Sequence, residues 1–208
     1  MKNAIALLAA LAFLGGCASS GTNAVQADLP VDKGTVSAGA GNSVTMKGGA
    51  LPLAGGGEVR VGEPLPAAVL SSNSLQPVDI AAATGKVRII SVVPSLDTPT
   101  CDKQTHALSE ENGGLDKQVE LITVSMDLPF AQSRFAKEAK ISNVTFLSDY
   151  KGREFGNHNG LLIEPLGLLA RAVIVTDQNN VVRYLQVVPE ITALPDMPAA
   201  MAAARSLL

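Results

Sequence analysis

Read for the spacing of apolar and polar positions, the chain falls into three stretches of different character. Residues 4–14 form an unbroken apolar run, residues 18 to about 43 carry few large apolar side chains, and beyond them short β-branched runs alternate with segments of helical length. In this last stretch Val44–Lys47 and Ala50–Leu53, parted by Gly48-Gly49, predict a small hairpin. Lys86–Val93 is a β-branched run stopped by Pro94 and predicts a buried strand, followed by a helix over Pro99–Glu111. Val119–Ser125 predicts a second buried strand, Phe130–Lys140 a second helix and Val144–Leu147 a short strand. Leu169–Thr176 and Val181–Val188 flank the turn Asp177-Gln178-Asn179-Asn180 and predict an antiparallel pair. Asp196 is placed to cap a last helix, with Pro198 in its first turn and an alanine-rich body. Strand–helix–strand–helix followed by a hairpin and a helix predicts an α/β fold with a mixed central sheet flanked by helices, for which a thioredoxin-like fold is the natural candidate.

The apolar run behind Met1-Lys2-Asn3 has the layout of a secretory signal and is shorter than the ~20 residues that a permanent transmembrane helix needs. Leu14-Gly15-Gly16-Cys17 resembles the bacterial lipobox, which implies cleavage before Cys17 and a lipid on its sulfur. An ordinary signal peptide cut near Ala18, or a short buried core helix, are the plainer readings. The expected organisation is a lipoprotein signal peptide over 1–16, a lipidated N-terminus and flexible tether over 17–42, and one domain over 43–208. Twelve of the 19 glycines fall between positions 15 and 62, in keeping with low local order there. The expected location is a bacterial membrane, with Ala18 after the cysteine pointing to the periplasmic side of the outer membrane.

Composition narrows the function classes. An apolar share of 47% with 17% charged residues describes a globular chain. Aromatics at 3% and a net charge of −3 without a basic block argue against nucleic acid as a partner. Two cysteines are too few for a disulfide scaffold or a zinc ribbon. His106 lies about 140° round a helix from Cys101, so the two cannot face one metal ion, and His106 and His158 read as surface residues. No metal, haem or other cofactor is expected. The motifs GxSxG, HExxH and GxxxxGK[ST] are absent.

The candidate chemistry lies at Cys101. In Val93-Pro94-Ser95-Leu96-Asp97-Thr98-Pro99-Thr100-Cys101, Thr98 suits a helix N-cap and Pro99 the first helical position. Cys101 then falls in the first turn, where free backbone N–H groups and the helix dipole favour an anion such as a nucleophilic thiolate. An inert buried cysteine is the plain alternative, and this setting argues against it. Arg171 interrupts the apolar run Leu169–Val175. Pointing inward it needs an anion, which a thiolate would supply; pointing outward it is an exposed residue on an edge strand.

Three separated motifs carry a family resemblance. Pro94-x-x-x-Thr98-x-x-Cys101 matches the PxxxTxxC signature of peroxiredoxins. Asp127–Phe135 reads DLPFAQSRF, the segment that marks the thiol peroxidase branch, and Gly167–Val173 resembles that branch's arginine-bearing strand. Val188–Thr192 through Pro195-Asp196 is similar to its ending, so the likeness covers about residues 43–208. The resemblance implies that Cys101 is the peroxide-reacting thiol and that Arg171 holds the thiolate and polarises the peroxide. It further implies that Thr98 hydrogen-bonds between sulfur and peroxide, and that Pro94 shields the cysteine from water. Ser133 and Arg134, on the second predicted helix, read as structural residues or as supports behind the site, not as catalytic ones. A homodimer, a hydroperoxide substrate and an external thiol or thioredoxin-like reductant are implied with it.

The chain departs from the family where a resolving cysteine is usual, because Ala136 occupies that position. With Cys17 lipidated, no second thiol remains, which implies a 1-Cys cycle through a sulfenic acid acting on hydrogen peroxide and on alkyl or lipid hydroperoxides. Asp102–His106 also departs from the pattern usual after the cysteine. Two rivals stay open at this level: a membrane-tethered peroxide sensor or redox relay, and a non-catalytic thioredoxin-like binding lipoprotein.

Overall fold

Residues 29–208 are described in the structure, a computed structural model. In chain order the strands are β1 (Ser43–Met46), β2 (Gly49–Ala54), β3 (Val69–Ser72), β4 (Pro77–Asp79), β5 (Arg88–Val92) and β6 (Glu120–Ser125). They continue as β7 (Thr145–Ser148), β8 (Leu162–Ile163), β9 (Leu168–Leu169), β10 (Ala172–Thr176) and β11 (Val182–Val187). The helices are α1 (Pro99–Glu110), α2 (Pro129–Glu138), α3 (Glu154–His158) and α4 (Met197–Arg205).

A mixed sheet in the order β11-β10-β5-β6-β7-β3-β4 forms the frame, with β5, β6 and β7 parallel and the other pairings antiparallel. Every residue of β5 is buried, as its β-branched run predicts, the polar Arg88 and Ser91 included. Its side chains alternate between two cores: Ile89 packs with α1 and α4, Ile90 and Val92 with the opposite face. That opposite face is covered by α3 and by a second antiparallel sheet, β1-β2-β8-β9.

The predicted N-terminal hairpin is present, with its turn one residue earlier than expected. Lys47 (φ 52°) and Gly48 (φ 80°) both take the left-handed region, the geometry of a two-residue hairpin turn. The β10–β11 turn is held by Asp177, whose Oδ1 accepts from the N–H groups of Asn179 and Val181 at 2.9 and 3.0 Å. Asp196 caps α4 by accepting from Ala199 N at 3.1 Å.

Two expectations need correction. The tether was expected over 17–42, yet residues 29–42 lie along the domain. Val31 bridges Leu194, Val36 N–H donates to the Val187 carbonyl at 3.0 Å, and Gly39 N–H to the Gly160 carbonyl at 2.9 Å. Gln186 Nε2 donates to the carbonyls of Asp32 (2.7 Å) and Gly34 (2.9 Å), so the segment covers the free edge of β11. The segment contributes mostly backbone groups to these bonds, which is why a glycine- and alanine-rich composition gave no sign of it. Residues 17–28 of that tether, the signal peptide and Cys17 lie outside the described residues. The second correction is at Leu169–Thr176, which is two strands: β9 joins the small sheet, β10 the large one, and Ala170-Arg171 is the junction.

Candidate active site

The active-site candidates gather at the end of β5, where the chain leaves the sheet and starts α1. Because β5 and β6 are parallel, the loops that follow them lie side by side, the position at which α/β sheets place ligands. Because β10 is antiparallel to β5, its first residue Ala172 pairs with Val92, the last of β5. Arg171, one residue earlier, is thereby delivered to the start of α1.

Cys101 is the third residue of α1 and fully buried. The first helical bond runs from Asp102 N–H to the Thr98 carbonyl at 3.0 Å, so the N–H groups of Thr100 and Cys101 precede the helical ladder. Arg171 is 2% exposed and points inward, which decides the alternative the sequence left open. Its Nη2 donates to Cys101 Sγ at 3.4 Å, Nη1 to Gln104 Oε1 at 2.6 Å, and Nε to the Ile191 carbonyl at 2.8 Å. Among the described residues no carboxylate pairs with Arg171, so a buried cation is met by neutral acceptors and one sulfur. An anion at that sulfur, or on an oxygen bound beside it, would complete the charge balance.

Gln104 was not among the expected site residues. It sits one turn after Cys101, is fully buried, and donates from Nε2 to Ser91 Oγ on β5 at 2.7 Å. Its amide thus orients Arg171 from one end and is itself held from the other. The signal was available: a glutamine on the same helical face as Cys101, Thr105 and Leu108 is a polar group in a core position and must have partners.

The loop before Cys101 is gripped by Asp127, which follows β6. Its carboxylate accepts from Ser95 Oγ and from Leu96 N–H, both at 2.8 Å. Thr98 occupies the N-cap position with extended backbone (φ −113°, ψ 144°), but its side chain does not cap the helix. The hydroxyl donates instead to the Ser95 carbonyl at 3.1 Å, tightening the loop and leaving its oxygen free to accept. Pro94 is buried between β5 and this turn.

The family model described as Redoxin matches residues 60–202. A thiol peroxidase of Halalkalibacterium halodurans is 46% identical over 166 residues, covering 80% of this chain and 99% of its own. One from Bacillus subtilis is 42% identical over 165 residues, covering 79% and 98%. The chain belongs to the thiol peroxidase branch of the peroxiredoxin family. Among solved structures, a peroxiredoxin-like protein from Aquifex aeolicus superposes with a TM-score of 0.74 at 40% identity, covering 80% of this chain and 97% of that one. The thioredoxin-like fold expected from the sequence is therefore the fold of this thiol peroxidase, and the protein is a peroxidase of the oxidoreductase class. A merely binding lipoprotein is set aside.

Within this thiol peroxidase, Ala136 lies on α2, packed at the edge of the helix-side core. Cys101 is the only cysteine among the described residues. His106 stands between Asp102 (3.7 Å) and Glu110 (2.7 Å) on the outer side of α1, and His158 Nδ1 lies 2.5 Å from the Ala67 carbonyl. The two histidines thus sit apart from the site.

Proposed function

We propose that Cys101, as thiolate, attacks the terminal oxygen of a hydroperoxide RO–OH. The sulfur–oxygen bond forms as the O–O bond breaks, giving Cys101 sulfenic acid and an alkoxide that takes up a proton and leaves as ROH, or as water when R is hydrogen. Arg171, fixed by Gln104 and Ile191, faces the developing negative charge with a guanidinium N–H donor. The observation that carries this reading is the buried Arg171 Nη2 to Cys101 Sγ contact of 3.4 Å, with no carboxylate paired to Arg171 among the described residues. Thr98 offers a lone pair to the hydroperoxide proton, and Pro94 limits water at the sulfur.

The cycle is closed by an external thiol. A first thiol attacks the sulfenic sulfur and releases water, leaving a mixed disulfide; a second thiol, or a second sulfur on the same reductant, displaces Cys101 and leaves as a disulfide. Ala136 in the resolving position favours this 1-Cys route. Cys17 is proposed to carry a lipid that holds the enzyme at a bacterial membrane, on the periplasmic side, where alkyl and lipid hydroperoxides are at hand. A homodimer is proposed as well, and exposed Phe130 (65%) and Leu128 (51%) beside the Asp127 loop give it an apolar face.

Intact-mass analysis of the Cys17→Ser protein after one equivalent of peroxide, with a sulfenic-acid trap, tests the chemistry. A trapped adduct on Cys101 is the expected result, with native mass recovered instead when thiol is added before the trap. A disulfide-linked dimer formed at one peroxide per two chains would refute the 1-Cys route. Membrane fractionation of the same variant tests the anchor: release from the membrane is expected, and unchanged retention overturns it.

A further inference from the structure

The ending motif Val188–Thr192 has so far supplied one carbonyl, and the reason for its acidic residue is open. Glu190 lies in the loop after β11, and five donors converge on its carboxylate. Oε1 accepts from Lys47 N–H (3.0 Å), Thr192 N–H (3.2 Å) and Thr192 Oγ1 (2.7 Å); Oε2 accepts from Gly48 N–H (3.2 Å) and Thr45 Oγ1 (2.9 Å). Both oxygens face donors, so a carboxylate fits here and an amide does not: either orientation of a glutamine turns its NH₂ against N–H or O–H groups. Burial alone would raise the Glu190 carboxyl, but the hydrogen bonds from Thr192, Lys47, Gly48 and Thr45 outweigh it and bring it down to about 2. It is thus ionised throughout the physiological range.

What these bonds join is a turn of the N-terminal hairpin and the loop that flanks the site. Lys47 and Gly48 form the β1–β2 turn. On the other side, the Ile191 carbonyl receives Arg171 Nε at 2.8 Å, and the Thr192 carbonyl receives Thr100 Oγ1, from the residue before Cys101, at 3.3 Å. Two consecutive carbonyls next to Glu190 therefore touch the arginine and the cysteine-bearing turn.

We infer that Glu190 is a positioning residue of the peroxide site, fixing the Ile191-Thr192 loop against the hairpin turn so that Arg171 stays aimed at Cys101. The inference rests on the reading of Cys101 as the peroxide-reacting thiol. Loss of the carboxylate does not free the loop entirely. The Thr45 N–H bond to the Pro189 carbonyl (2.6 Å) and the Ile191 N–H bond to the Thr45 carbonyl (2.9 Å) remain, so a graded effect on rate is expected in a folded protein.

The test is a double-mutant cycle on the full chain, read as the second-order rate of Cys101 oxidation by hydrogen peroxide, quenched with an alkylating agent and followed by intact mass. Glu190→Gln should slow oxidation about 5- to 20-fold in the native background and less than about twofold in an Arg171→Met background, because a residue acting through Arg171 has nothing left to position there. An equal slowing in both backgrounds, or none in the native one, overturns the inference. Should Glu190→Gln fail to fold, Thr45→Val decides, with a slowing of about two- to fivefold confined to the Arg171 background as the expected result and no change as the refutation. If native Cys101 itself does not react with peroxide, the reading of the site fails, which is a different outcome from a reactive Cys101 indifferent to Glu190.

Discussion

Replacing Gln104 by leucine separates the aim of Arg171 from its charge. The side chains are of similar size, and the site is fully buried, so the substitution removes polar contacts with little change in volume. Lost are the bond from Arg171 Nη1 to Oε1 at 2.6 Å and that from Nε2 to Ser91 Oγ at 2.7 Å. The first is a charge-assisted bond worth about 1.5–3 kcal/mol, and its loss leaves a buried N–H of a cation without an acceptor. Offset by leucine's apolar gain, the net destabilisation should be about 2 kcal/mol, a fall in Tm of roughly 4–8 °C for a domain of this size. The guanidinium keeps its Ile191 bond but can pivot about it, and misplacement of a catalytic group by about 1 Å can cost 100-fold in rate. We therefore expect oxidation of Cys101 by peroxide to slow roughly 10- to 100-fold, with the subsequent reaction of the sulfenic acid with thiol changed much less. Rapid-quench alkylation with intact-mass readout measures the first step, and thermal melting the stability. A folded Gln104→Leu protein that oxidises within a factor of about two of the native rate would show that Arg171 does not depend on this amide for its position.

Other expectations are checked with the same assays. Arg171→Met should slow oxidation about 100- to 1000-fold, the usual loss when a donor to developing oxyanion charge is removed, while the protein still folds; a smaller loss argues against Arg171 as the charge partner. Asp127→Ala leaves the Ser95 Oγ and Leu96 N–H donors without their acceptor and should cost about 1–2 kcal/mol by urea unfolding and slow Cys101 oxidation about 5- to 20-fold. Glu190, held down to about 2 from its ordinary 4.5, gives a pH signature: the folded-state value is depressed, so its contribution is complete above about pH 5 and lost as pH falls towards 2. Allowing for partial exposure this amounts to roughly 1–2 kcal/mol, and urea unfolding of Glu190→Gln should show a shallower acid loss than the native protein between pH 5 and about 2. Parallel acid profiles would refute it.

The sequence by itself determined what is local. A β-branched run ended by Pro94, with Thr98 at the N-cap and Pro99 at the first helical position, places Cys101 in a helix's first turn. The strand runs behind β5, β6 and β10, the Asp177–Asn180 turn and the Asp196 cap are equally legible, because period, turn chemistry and capping act over a few residues. The two-residue strands β8 and β9 have no period to read, and the β3–β4 hairpin and α3 went unseen. Tertiary structure alone decided which way Arg171 points, since that depends on β10 lying antiparallel to β5 in the register Ala172 to Val92. It likewise decided what Gln104 holds, what Asp127 and Glu190 grip, and that residues 29–42 cover the β11 edge. These are contacts between residues far apart in the chain, made largely with backbone N–H and carbonyl groups that every residue carries. Composition leaves no trace of where such groups will find their partners.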